Sequence, residues 1–246
     1  MAIALVFSTA LSIAVGLLIV GPLDDSVGRW DRQVVRDLAA DRTAAADRIT
    51  GLAAVFADTA PVALLWAGAM AIGARLTRQW VVPVFIFFVI GGEKLAYLFT
   101  SMVVGRPRPS VEPLGQVFAT SSFPSGHVGS AIVLYGSIAL AIRWHRSELG
   151  RPLPSWTTVL SVATVVAIAV LVAFSRTYRA QHYPSDVLWG AVLGVIWLIA
   201  GWRLVLPSAN RHPPLELDTP ACPRTHTGGS PRLPTAKTSR REAPQR

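Results

Sequence analysis

The sequence predicts an all-α polytopic membrane protein, a bundle of six transmembrane helices. Three observations lead there. Of 246 residues, 52% are hydrophobic and only 15% are charged, well below the charged quarter that is usual in soluble domains. The apolar residues gather in runs long enough for helices to cross a hydrocarbon layer about 30 Å thick. Arginines cluster at the ends of those runs that alternate connections place on one side.

The first span, about residues 2–23, is uncharged throughout. It lacks the basic start and small-residue cleavage site of a removable signal peptide, so it reads as a permanent span. The second, about 60–74, has Asp58 or Thr59 as N-cap and Pro61 in the first turn, where a missing N–H is harmless. The remaining spans are about 80–104, 126–142, 157–174 and 187–206. Trp80, Trp144, Trp156 and Trp202 fall near span ends, where interfacial tryptophans belong. Between the first two spans, residues 24–50 carry five arginines offset by six aspartates. Val27, Trp30, Val34 and Leu38 recur at helical spacing, so an amphipathic surface helix is expected, chiefly as a connector.

Orientation follows from the basic residues. Arg75, Arg78, Arg143, Arg146, Arg151 and Arg203 lie on one side with the basic tail, and the positive-inside tendency assigns that side to the cytoplasm. A cell-membrane protein with both termini cytoplasmic is expected. Residues 207–246, rich in Pro, Ser, Thr and Arg, read as a disordered tail beyond a membrane domain at 1–206. That tail supplies much of the net charge of +9, so anionic lipid explains the charge more simply than nucleic acid does, and no nucleic-acid partner is expected. Cys222 is the sole cysteine, which excludes an internal disulfide, and with His226 it makes a poor metal site.

Three polar segments break the apolar pattern, all on the outward side. FPSGH at 123–127 ends a loop and opens the fourth span, so its backbone N–H groups are the unpaired donors of a helix N-terminus, which attract anions. Ser125 can donate a hydroxyl, Gly126 leaves room for a phosphate oxygen, and His127 can pass a proton to a leaving oxygen. VGRPRP at 104–109 displays Arg106 and Arg108 on a loop stiffened by two prolines. SRTYRAQHYPSD at 175–186 offers Arg176 as a phosphate clamp and His182 as a nucleophile, with Asp186 able to fix its tautomer. Taken singly, each segment has an ordinary reading as a turn or solvated loop.

In order and spacing, the three together resemble the signature of the type 2 phosphatidic acid phosphatase superfamily, which also includes vanadium haloperoxidases. The resemblance covers about 105–186, and the six-span plan resembles the family's membrane branch. It implies a lipid phosphatase without metal or cofactor, acting on a lipid phosphate in the bilayer. His182 would form a phosphohistidine, Asp186 would orient it, and His127 would protonate the leaving group. Arg108, Ser125, Gly126 and Arg176 would hold phosphoryl oxygens. Because His182 must be neutral while His127 is protonated, a bell-shaped pH profile is expected. Undecaprenyl diphosphate, phosphatidic acid and phosphatidylglycerol phosphate are candidate substrates, with the isoprenoid diphosphate favoured by analogy. The alternatives are a phosphotransferase using the same histidine, a non-catalytic member of the fold, and, least in keeping with six spans, a haloperoxidase.

One departure from the family pattern stands out. The lysine that the family places seven residues before its Arg-Pro pair is Ser101 here. Lys94 lies on nearly the same helix stripe, but roughly 10 Å lower by helical rise and with its side chain leaning away from the site. It is not expected to substitute, and Arg106 or Arg179 is the better candidate. Glu93 and Lys94 interrupt the third span near its middle, where charges are costly and are paired or functional. Mutual pairing is the simpler expectation.

Overall fold

The computed structural model describes residues 2–56, 58–116 and 120–206. The expected tail therefore lies outside the described residues. Among the described residues eight α-helices follow in order: α1 (Ala2–Val20), α2 (Arg29–Ala40), α3 (Ala44–Val55), α4 (Thr59–Thr77), α5 (Val81–Val104), α6 (Gly126–Glu148), α7 (Ser155–Tyr178) and α8 (Pro184–Leu204). A single π turn, Asp24–Gly28, joins α1 to α2. Six helical stretches are long and apolar enough to cross a membrane, the second of them running from Ala44 to Thr77.

The centre of the bundle is α5, α6 and α8, whose facing residues Phe85, Ile86, Val89, Val133, Leu134, Leu193 and Trp197 are fully buried. Hydrocarbon is as apolar as these side chains, so close packing between helices must hold the bundle together. Gly92 shows how close it is. A Cβ there would stand 2.0 Å from the Trp197 ring, so α5 and α8 meet at this depth only because one side chain is a hydrogen. Large apolar side chains on α1, α4 and α7 point outward, among them Phe7, Leu64, Leu76, Val159 and Val170. On a lipid-facing surface that exposure is the stable state.

Several elements differ from expectation for identifiable reasons. Residues 24–50 form no single surface helix. The buried line of α2 is Asp31 and Val35, Val35 packing with Ala180 and Tyr183, while Trp30 is exposed. α3 packs along α7, where Ser175 Oγ donates to the Thr50 carbonyl at 2.7 Å and Tyr178 Oη to Asp47 at 2.9 Å. These bonds carry α7 to Tyr178 and draw Arg176 into its last turn. Trp144 is buried in the core, 4% exposed, instead of lying at an interface. Asp58 occupies the N-cap position of α4 but makes no capping bond through its side chain; its carboxylate pairs with Arg176.

Candidate active site

The loop from α5 to α6 does not stay at the end of the bundle. Lys94 Nζ donates to the Gly126 carbonyl at 3.0 Å, and Glu93 lies against Gly129. Ten residues of α5 follow Lys94, about 15 Å of rise, so α6 begins well inside the bundle. The loop folds back to reach it. Ser122 N donates to the Arg106 carbonyl at 2.9 Å, and Ser125 N to the Asp186 carbonyl at 2.9 Å, which ties the mouth of α6 to the first turn of α8.

A cavity of about 360 Å³ opens at this junction. Its polar wall is Arg108, Thr120, His127, His182, Lys94, Tyr97 and Ser130, together with Gly126, and its apolar wall is Val62, Ala63, Trp66 and Ile90. The two imidazoles face each other, ring centroids 6.0 Å apart and steeply inclined. His182 is 1% exposed. Its Nδ1 lies 2.7 Å from the Ser122 carbonyl, which can only accept, so Nδ1 carries the proton and Nε2 keeps its lone pair. Nε2 has no hydrogen-bond partner among the described residues. Burial holds the His182 imidazole below its ordinary value of 6.5, against the opposing pull of Asp186.

Asp186 stands behind this histidine, but not as its sole orienting partner. Its Oδ2 is 3.8 Å from Nδ1, an ion-pair distance beyond hydrogen-bond reach, and the same oxygen accepts the Tyr183 N–H at 2.8 Å, capping α8. The tautomer is set by the Ser122 carbonyl. Asp186 Oδ1 pairs with Arg106 at 2.5 Å.

Arg106 is accordingly not a spare cation for phosphate. Its guanidinium is buried between Asp186 and Asp31, the latter at 2.7 Å, donates to Ser185 Oγ at 2.8 Å, and lies 4.2 Å from the centroid of the Tyr183 ring. Arg179 reaches the Asp47 carbonyl on α3 instead, and Ser101 is buried in α5; neither lines the cavity. Ser125 is fully buried and does not line the cavity either, its N–H being spent on Asp186. Arg176 is 3% exposed and bonded at 2.5 Å to both Gln181 and Asp58. Its two Nη atoms are committed to Gln181, Ala54 and Asp58, its Nε has no hydrogen-bond partner among the described residues, and it does not line the cavity. The Tyr97 ring packs on Gly126, at 3.1 Å from where a Cβ would sit, so that glycine serves the packing as well as access.

Arg108, Gly126, His127 and His182 are thus the expected site residues that meet in the cavity. Arg108 is held there by the Gln181 carbonyl at 2.6 Å and by Thr120. Residues 82–209 match the PAP2 superfamily. The chain belongs to the PAP2 superfamily. All three polar segments lie within the matched stretch. Among similar curated proteins, phosphatidylglycerophosphatase B of Bacillus subtilis is 32% identical over 48% of this chain and 56% of its own length. Undecaprenyl-diphosphatase BcrC of the same organism is 32% identical over 44% and 49%, and human dolichyldiphosphatase 1 is 34% identical over 40% and 42%. The chain therefore spans about half the length of these relatives. The crystal structure of a transmembrane PAP2-type phosphatidylglycerolphosphate phosphatase from Bacillus subtilis superposes with a TM-score of 0.67 at 22% identity, covering 79% of this chain and 94% of that one. The fold is shared with that structure.

Sequence reasoning missed two contributors. Asp31 accepts from the Ser185 N–H at 2.9 Å and is one of six similar aspartates in its segment, so no local signal distinguishes it. Lys94 was set aside on depth, yet it lines the cavity. The signal was its charge within a span, and the inward fold of the loop brings the site down to it.

Proposed function

We propose that this protein is an integral membrane lipid phosphatase that hydrolyses phosphate monoesters or diphosphates of lipids through a phosphohistidine. The observation that carries this reading is His182 Nε2, lone pair unoccupied, in a cavity with a cationic wall and an apolar wall. A lipid phosphate needs both walls, one for its head and one for its chain.

His182 Nε2 attacks phosphorus and the bond to the bridging oxygen breaks, its electron pair leaving with the lipid. His127 gives that oxygen a proton. Water then attacks the phosphohistidine, returning a proton to His127 and releasing phosphate and neutral His182. Arg108 and the first-turn N–H groups of α6, which has no side-chain cap among the described residues, oppose the charge spreading over the equatorial oxygens. The Ser122 carbonyl and Asp186 stabilise the positive charge that His182 gains on attack. The distribution of arginines supports a site on the outer side of the cell membrane, with both termini cytoplasmic.

Phosphate release from a panel of lipid phosphates by purified protein, beside His182→Ala, tests the reading. Release by the native protein and none by the variant is the expected result; silence of both across the panel would overturn it.

A further inference from the structure

The cavity carries its cations at two depths. Arg108 belongs to the loop at the mouth, near His182. Lys94 is deeper, and the Gly126 carbonyl shows in which direction. Carbonyls of an α-helix point toward its C-terminus and N–H groups toward its N-terminus. Lys94 Nζ, at 3.0 Å from that carbonyl, is on the far side of the first turn from the N–H donors of α6. Ser130 Oγ, at 2.6 Å from the same carbonyl, lies at the same depth.

The apolar part of the same cavity is Val62, Trp66 and Ile90. A lipid phosphate attacked by His182 can lay its chain along that apolar wall. The group next to the bridging oxygen then meets Lys94. In a monoester that group is a methylene, which gains nothing from an ammonium. In a diphosphate it is a second phosphate.

Lys94 is prepared for such a partner. An ammonium has three N–H donors. One is on the Gly126 carbonyl, buried Glu93 Oε2 is an ion-pair partner at 3.3 Å that makes no hydrogen bond among the described residues, and the Tyr97 ring lies 5.3 Å from Nζ, so donor capacity remains for a ligand. The Lys94 side chain is 37% exposed, so it stays reachable although Glu93 is buried. The charge that the family pattern would place at Ser101 is absent from the mouth and present here instead.

We propose that Lys94 binds the non-reacting phosphate of a lipid diphosphate, so that the cavity selects diphosphates over monoesters. This deepens the lipid phosphatase reading and rests on it. In the reaction His182 Nε2 takes the terminal phosphoryl group. The bond between terminal phosphorus and bridging oxygen breaks, and the lipid monophosphate leaves with the electron pair. His127 protonates it, and Lys94 balances its remaining charge.

The test compares an isoprenyl diphosphate with the monophosphate of the same chain. Lys94→Met is expected to lower the ratio of the two kcat/KM values about tenfold or more, as loss of one charge-assisted contact should, and Lys94→Arg to restore part of it. Because Lys94→Met leaves Glu93 buried without its cation, Glu93→Gln/Lys94→Met is measured beside it and should show the same shift. An unchanged ratio, or equal loss on both substrates, overturns the proposal while leaving the phosphatase reading intact. Inorganic pyrophosphate and orthophosphate binding to His182→Ala, with and without Lys94→Met, separates the two ideas without turnover. Weaker pyrophosphate binding with orthophosphate less affected supports the role of Lys94; equal affinities overturn it, whatever the native protein hydrolyses.

Discussion

His182 is built to be neutral. Burial disfavours the imidazolium, so the neutral ring persists to lower pH than that of an exposed histidine, and under the proposed mechanism the acidic limb of kcat/KM should lie below 6.5. Asp186 works in the opposite direction by favouring the charged ring. Asp186→Asn should therefore move that limb further down while lowering the rate, because the developing positive charge loses its counterion. A limb that moved up would show that Asp186 does not act electrostatically on His182. His182→Ala should cost about a thousandfold or more in turnover, the scale of losing a nucleophile, with thermal unfolding in detergent showing whether the fold persists.

The elements around the site are joined by buried charge. α2 reaches the first turn of α8 through Asp31, and the loop after α5 joins both through Arg106. Breaking a buried pair by removing one partner costs about 3–5 kcal/mol, so Asp31→Asn should lower the unfolding midpoint clearly. Arg29→Gln, on the exposed face of the same helix, should not. A thermal melt of both variants checks this. Packing between α5 and α8 gives a second contrast. Gly92→Ala drives a methyl into the Trp197 ring and should destabilise by about 1–3 kcal/mol, whereas Gly68→Ala on α4 meets nothing within 4 Å and should be neutral or slightly stabilising. The spans were readable because hydropathy and length are local properties. The docking of α2 was not, because Asp31 differs from its neighbouring aspartates only in what lies across from it, and that partner is 154 residues away in the chain.

Across the whole molecule, the three polar segments point to residues that gather at one cavity but not to its depth. Their residue types suggest phosphoryl chemistry, and Arg108, Gly126, His127 and His182 do converge. The resemblance implies Arg176 and Ser125 as phosphate ligands and leaves Arg106 as a candidate for the missing cation; in the fold the two arginines pair with carboxylates and Ser125 is fully buried. Nothing local to a segment says which carboxylate its arginine will meet. The proposed orientation has a convenient probe in Cys222, the sole cysteine. A membrane-impermeant maleimide should leave it unlabelled in intact cells and label it after permeabilisation; labelling in intact cells would reverse the assigned sides.

The bond between Asp31 and Ser185 has a bearing on biogenesis. Translation delivers α2 and then Arg106 before α8, so the Asp31 carboxylate can meet its arginine first but must wait for Ser185, still inside the ribosome. Catalytic competence must then arise late and all at once, when α8 enters the bilayer and draws Asp31, Arg106 and Asp186 together. A chain halted before residue 184 would hold the first two polar segments and His182 but not the Ser185 and Asp186 that complete this network.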